Sequence, residues 1–368
     1  MKKTSKCLGI ISIAMAILFT FAACGGVDDD SPYEPAVYIA GFYFEKVSDD
    51  PSVSIRKACY WKNEQRVDLH STTDPGSEAY SIAVADGHVY VAGVLTTGDI
   101  DTRACYWKDG QLIDLAGGVD SYATAIAVEN VGGSHMVYIA GYYDDGVDMR
   151  GCYWRGGAAG AREDLSDESS VISGAFAIAV KGGEVYTAGV YDDGGGVENA
   201  CYWYDMERKD LHPTGADLSI ASSIAIDTSG ASPKIYTAGL YVEGSSGKAC
   251  YWINDDKEPI PLLDLGASSA SAIALAGGKP YIAGAFHEGT IDKACYWHND
   301  GVTKLAVPEG AGNSDALAIT VHNGLVLTAG EYYDSGTDKA CYWKGSKRTD
   351  LKVPATATGS HATGIFVR

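Results

Sequence analysis

The chain has 368 residues, with 28 Lys and Arg against 48 Asp and Glu, a net charge of -20. Such acidity excludes a nucleic-acid partner, which needs a basic surface, and argues against the protein body lying on anionic lipid. A chain of this length divides into two or more domains unless it is built from repeats, whose units pack only on their neighbours.

The N-terminus reads as a targeting segment. Lys2, Lys3 and Lys6 precede an apolar run from Leu8 to Phe21, the form of a secretory signal peptide and a poor length for a membrane span. The run ends Phe21-Ala22-Ala23-Cys24, which resembles a bacterial lipobox. That resemblance implies cleavage before Cys24 and lipidation of this cysteine. Phe21 departs from the aliphatic residue usual there, and ordinary secretion with cleavage nearby is the alternative. Residues 1–23 are thus expected to be a lipoprotein signal peptide. Residues 24–35, polar and turn-rich from Gly25 to Pro32, are expected to be anchor and tether. Cleavage removes three lysines and no acids, taking the charge to -23. Membrane contact is expected through the lipid anchor alone, in the bacterial cell envelope, at the outer membrane or cell surface in preference to the inner membrane.

From residue 36 onward a three-residue word sets the organisation. Cys-Tyr-Trp begins at Cys59, Cys105, Cys152, Cys201, Cys250, Cys295 and Cys341, at intervals of 46, 47, 49, 49, 45 and 46 residues. Each unit holds four short runs rich in β-branched and aromatic residues, separated by Gly, Asp and Asn turns. We label them A (Ala-Ile-Ala-Val), B (Val-Tyr-Ile-Ala-Gly), C (Ala-Cys-Tyr-Trp) and D (ending Asp-Leu). Four strands in about 47 residues is the form of a propeller blade. The chain begins with a B strand at Val37 and finishes with an A strand at Gly364-Ile365-Phe366-Val367. In a ring, that last strand completes the first blade and leaves no sheet edge open. The expected fold is all-β: one seven-bladed propeller over 36–368, four antiparallel strands per blade, closed by the C-terminal strand.

Repetition also assigns roles. Trp61, Trp107, Trp154, Trp203, Trp252, Trp297 and Trp343 are expected to pack between blades, each burying roughly 150–250 Å². The seven cysteines of the word are expected to be buried thiols outside any disulfide, because equivalent strands of neighbouring blades lie too far apart to bridge. A serine opens strand A at Ser77, Ser121, Ser173, Ser219, Ser268, Ser314 and Ser360, with Ala two residues later. Seven identical serines suit hydrogen bonds between blades, since catalysis needs one unlike constellation. The acid of Asp-Leu recurs at Asp68, Asp114, Asp164, Asp210, Asp264 and Asp350, but blade six has Lys304.

The unit resembles kelch-type repeats in the run Gly182-Gly183-Glu184-Val185-Tyr186-Thr187-Ala188-Gly189, followed by an acidic loop, a Cys-Tyr strand and a short D strand. It is also similar to the bacterial extracellular HAF-type repeat, which runs aromatic-Trp, Asp-Leu, then Ser-x-Ala-x-x-Ile. Strand B ends Ala-Gly where kelch has Gly-Gly, and Trp sits in strand C. The resemblance covers 36–368 and implies the propeller fold. It leaves function open, because kelch-like propellers include binding modules and a few enzymes.

No nucleophile elbow, zincin motif, P-loop or EF-hand loop is present, and neither cofactor nor metal is expected. Asp144 to Asp148 reads as an acidic hairpin turn without calcium-loop spacing. The B–C loops carry 17 Asp and Glu against two Lys and Arg. They mark a candidate binding face of Asp99, Asp101, Tyr142, Tyr143, Asp144, Asp145, Tyr191, Asp192, Asp193, Tyr241, Glu243, Phe286, Glu288, Tyr332, Tyr333 and Asp334. A solubilising rim is the plainer reading of the same residues. Six of seven C strands open with a base, which pairs locally and dilutes the field. The chain is therefore expected to be a monomeric, non-catalytic scaffold holding a protein or carbohydrate, cationic or neutral, on its loop faces. The rival expectation is a carbohydrate-active propeller enzyme, hydrolase or lyase, with carboxylates or histidines converging at the channel mouth.

Overall fold

The structure, a computed structural model, describes residues 35–46, 54–69, 76–97, 101–115, 120–156, 162–165, 172–263 and 265–368. Cys24, Asp99 and Asp264 lie outside the described residues. Seven antiparallel sheets of four strands follow one another around a ring, each in the spatial order A-B-C-D. In blade I the order is A (Ala357–Val367), B (Val37–Lys46), C (Ser54–Lys62) and D (Gln65–Asp68). Blades II to VII occupy 77–114, 121–164, 172–210, 218–261, 268–304 and 314–350. Strands A of neighbouring blades meet all the way round, so they line the axis.

Local sequence makes the hairpins. The A–B turns Asp86-Gly87, Gly132-Gly133, Gly182-Gly183, Gly277-Gly278 and Asn323-Gly324 all have positive φ at both residues. That is the backbone twist a two-residue hairpin needs, and Asp-Gly, Asn-Gly and Gly-Gly supply it. The Ala-Gly end of strand B has a different cause. A Cβ on Gly141 would sit 1.9 Å from the Tyr122 carbonyl oxygen, and the same clash of about 2 Å recurs in the other six blades. Strand A carries a β-bulge beside each of these glycines, between Ala123 and Ala125 in blade III, which presses its carbonyl inward.

The cores lie between blades, seven in all. Trp107 of blade II packs with Tyr38, Ala58, Tyr60 and Leu69 of blade I; Trp61 of blade I packs with Leu327, Ala329, Tyr342 and Leu351 of blade VII. All seven tryptophans are at most 1% exposed. The serines join the same seams: each Oγ accepts the amide of a strand C residue in the preceding blade, from Ala58 to Ser77 at 3.1 Å round to Ala340 to Ser360 at 2.9 Å. All seven cysteines are buried and none forms a disulfide. Burial raises the Cys59 and Cys250 thiols well above their ordinary range.

Closure follows the expected route. Strand A of blade I pairs with strand B from Val37↔Val367 to Glu45↔Ala357, and the amides of Ala36 and Arg368 exchange hydrogen bonds of 2.8 and 3.0 Å with each other's carbonyls. Thr363 Oγ1 donates to the Ala79 carbonyl of blade II at 2.8 Å, and Trp61 Nε1 to the Lys352 carbonyl at 2.9 Å. Deleting Ala362 to Arg368 should therefore cost far more than trimming a frayed terminus. The expected drop in melting temperature is roughly 10 °C or more, with aggregation through the exposed strand B edge. A truncated chain that melts like the full one would show that closure does not depend on this strand.

Candidate functional site

Strand A opens Ser-X-Ala-Y in every blade. The pleat turns Ser and Ala into the blade seams and leaves X and Y on the axial side. Y is the bulge residue, and the seven Y residues are Tyr80, Thr124, Phe176, Ser222, Ser271, Leu317 and Thr363. Together with Tyr122 and Tyr142 they line a cavity of about 450 Å³ on the ring axis. Because strand A starts beside the B–C hairpins, this cavity opens on the same face as the candidate loops.

Around the mouth, X faces the strand B residue that follows the glycine. The seven pairs are His361/Phe42, Glu78/Val94, Tyr122/Tyr142, Gly174/Val190, Ile220/Leu240, Ser269/Ala285 and Asp315/Glu331. One arc is aromatic: Tyr122 stacks on Tyr142 with centroids 4.9 Å apart, and Phe176 meets Tyr142 edge-on at 6.4 Å. Burial pushes the Tyr142 hydroxyl up to about 12. The other arc is ionisable. Glu78 pairs with Arg56 of blade I at 2.6 Å. His361 stacks on Phe42 at 4.9 Å, and its Nδ1 is hydrogen-bonded to Glu331 Oε2 of blade VII. Burial raises the Asp315 carboxyl to about 6, with the charges of Glu331 and Asp292 adding to the effect.

Of the residues anticipated on the binding face, Tyr142 alone lines this cavity. Tyr143, Tyr191, Tyr241, Phe286 and Tyr332 take the next strand B position, whose side chains turn into the seams, and each is at most 9% exposed. A cation covers each ring: Arg162 lies 3.6 Å from the Tyr143 centroid, Arg208 3.7 Å from Tyr191, Lys248 5.5 Å from Tyr241, Lys304 5.1 Å from Phe286 and Arg348 4.5 Å from Tyr332. The recurring strand D acid holds the arginine in place, as in Arg162–Asp164 at 2.9 Å, Arg208–Asp210 at 2.9 Å and Arg348–Asp350 at 2.7 Å. The same acids bond the tyrosine hydroxyls. In blade VI, where Lys304 replaces the acid, the covered ring is Phe286, which has no hydroxyl.

The acidic residues are spread over the hairpin tips. Asp101, Asp145, Asp193, Glu243 and Glu288 are exposed, as is Tyr333, while Asp144 and Asp334 are half-buried. Asp192 is buried and accepts the Gly194 and Gly196 amides. Several tips are strand ends joined by two residues, as between Glu243 and Ser246 or Asp334 and Thr337. Local bases meet the acids: Arg150 to Asp145 at 2.9 Å, Lys248 to Glu243 at 2.5 Å, Lys304 to Glu288 at 2.6 Å and Lys339 to Asp334 at 2.5 Å. The Asp144–Asp148 segment is a hydrogen-bonded turn. Asp145 accepts the Val147 and Asp148 amides, which with Arg150 hold its carboxyl down at about 2.

Sequence reasoning passed over Glu78, Tyr80, Tyr122, Phe176, Asp315 and His361, and Glu331 entered it only as one of the 17 loop acids. Their signal was available as difference: X and Y vary from blade to blade inside a word whose Ser and Ala repeat.

No family model matches the chain, and no curated protein matches it. Solved structures do. A Mycobacterium tuberculosis puromycin-hydrolyzing peptidase is 12% identical over 84% of this chain and 53% of its own, with a TM-score of 0.50. An ulvan lyase of polysaccharide lyase family PL25 is 11% identical over 74% of this chain and 82% of its own, TM-score 0.49. The β-propeller domain of the Pyrococcus furiosus Trilobed protease is 11% identical over 86% of this chain and 98% of its own, TM-score 0.47. The expectation of a chain that is not an enzyme is corrected at this point. A peptidase shares this architecture over 84% of the present chain, so the fold is no ground for setting catalysis aside. At such identities the likeness is one of fold and does not specify a reaction.

Asp315 keeps its proton to higher pH in the folded chain than in the unfolded one. It therefore stabilises the fold at low pH, and that contribution is lost as pH rises from about 4 through about 6. Asp315→Asn should unfold like the wild type at pH 4 and be the more stable protein at pH 7, by at most about 3 kcal/mol. Denaturant titrations at the two pH values check this; an equal gap at both would rule it out.

Proposed function

We propose that this chain is an exported, lipid-anchored propeller that binds a carbohydrate at the mouth of its channel. One observation carries the reading: in the Ser-X-Ala-Y word Ser and Ala are constant where they face the seams, while the X-Y pair on the axial side differs in all seven blades. Packing is served by repetition, as the tryptophans, cysteines and glycines illustrate. A set of unlike side chains around one cavity is suited to selecting a ligand. The stacked Tyr122 and Tyr142, with Phe176 against them, offer apolar faces to sugar C–H groups. The opposite arc offers carboxylates and an imidazole to sugar hydroxyls. A flat protein partner resting on the hairpin tips would gain nothing from Ser222, Ser271 or Thr363 inside the cavity. The lipobox-like ending at Cys24, and the likeness of the repeat to kelch and extracellular HAF-type units, support placement in the cell envelope.

On an oligosaccharide array, the mature chain should retain a defined glycan class. Tyr142→Ala should weaken that binding about tenfold or more, a loss of roughly 1.4 kcal/mol, while Tyr333→Ala at an exposed tip leaves it intact. Binding that needs Tyr333 and ignores Tyr142 would move the site to the loops and overturn the proposal. For the anchor, labelled fatty acid should enter the wild type and not Cys24→Ala, and label persisting in the variant would refute lipidation there.

A further inference from the structure

We infer that Asp315 and Glu331 form a catalytic carboxyl pair that hydrolyses glycosidic bonds of uncharged or amine-bearing sugars, with His361 holding Glu331 in place. The inference rests on the carbohydrate reading above and assigns it a reaction. Facing like charges on neighbouring strands destabilise a sheet. The equivalent place holds Ile220/Leu240, Ser269/Ala285 or Gly174/Val190 elsewhere, so nothing in the fold requires two acids in blade VII. In blade VII the pair holds the places that Tyr122 and Tyr142, which line the cavity, hold in blade III. The register sets the two side chains opposite each other on adjacent strands, as a carboxyl pair for double displacement requires.

The two acids are not equivalent. Asp315 is half-buried and faces Glu331 on its own sheet. Asp292 of blade VI, which pairs with His287 at 3.0 Å, also acts on it, and His361 of blade I lies on the far partner, Glu331. These surroundings favour its protonated form, whereas Glu331 is bonded by His361. Beyond blade I, Glu78 is already matched by Arg56. In the first step Asp315 gives its proton to the bridging oxygen. The bond from that oxygen to the anomeric carbon breaks as a Glu331 oxygen bonds to that carbon. One alcohol leaves and a glycosyl ester remains. In the second step the Asp315 carboxylate takes a proton from water, whose oxygen displaces Glu331 from the anomeric carbon. The sugar leaves as a hemiacetal, and both carboxyls return to their starting states. One water is consumed for each bond cleaved, with no redox change. The concentration of carboxylates at this mouth repels uronates, which sets the substrate class.

The test uses the mature chain with phenyl and 2,4-dinitrophenyl glycosides of neutral and amino sugars. Wild type should cleave both kinds of glycoside for the sugar it binds, with retention at the anomeric carbon by NMR. Asp315→Asn should slow the phenyl glycoside about 100-fold or more, yet barely slow the dinitrophenyl one, whose leaving group needs no proton. Glu331→Ala should be inactive on both, with azide restoring turnover of the dinitrophenyl glycoside as a glycosyl azide. His361→Gln should shift the pH profile of kcat/KM while keeping the wild-type dependence on leaving group. A wild type that binds sugar through Tyr142 but cleaves no glycoside would overturn the hydrolase inference and leave the binding reading standing. Neither binding nor cleavage would overturn both. Cleavage that survives Glu331→Ala without azide would overturn the assignment of the pair.

Discussion

The approach of a strand A carbonyl to a strand B glycine is the constraint on which the rest of the molecule depends. With a Cβ 1.9 Å from that carbonyl oxygen, as at Gly141, Gly239 or Gly330, no other residue is tolerated there. The bulge that creates the contact inserts one extra residue into strand A and turns it toward the axis. It does so seven times. The seven Y residues reach one cavity because the backbone repeats this fault in register, and their own chemistry has no part in placing them.

Around this frame the blades divide labour by face. Side chains in the seams repeat because every seam poses the same packing problem: a buried Trp, a buried Cys, a serine accepting a neighbour's amide and, in six of the seven, a ring covered by a cation. Burying the same aromatic in all seven seams gives a closed ring in which every blade packs on both neighbours. Side chains on the axis are released from that demand, so they can be unlike. The cost of using that freedom is visible at Asp315 and Glu331, where like charges face each other across two strands and burial holds a carboxyl at about 6. Groups pushed away from their ordinary protonation in this way concentrate where chemistry is done.

The cations over the seam aromatics show how composition can mislead. Acidic tips bordered by Tyr143, Tyr191 and Tyr332 read in one dimension as an aromatic, negatively charged face. Strand alternation sends the tyrosines into the seams, and the strand D arginines cover them there. The acids at the tips are left beside lysines and arginines of the adjoining strand C. What remained at the mouth was a different set, one residue along the same strands.

The sequence by itself determined the number of blades, the four strands of each and the closure of the ring. It also determined the seam roles of Trp, Cys and Ser. These depend on short-range patterning repeated at a fixed period, and every copy reinforces the same reading. The site was decided only by the tertiary structure. Glu78, Tyr122, Asp315 and His361 come from four blades and are separated by 44, 193 and 46 residues along the chain. They share one mouth because the ring closes and the bulges face inward. Each looks like an ordinary departure from the repeat in one dimension, and only the axis gathers the departures into one place.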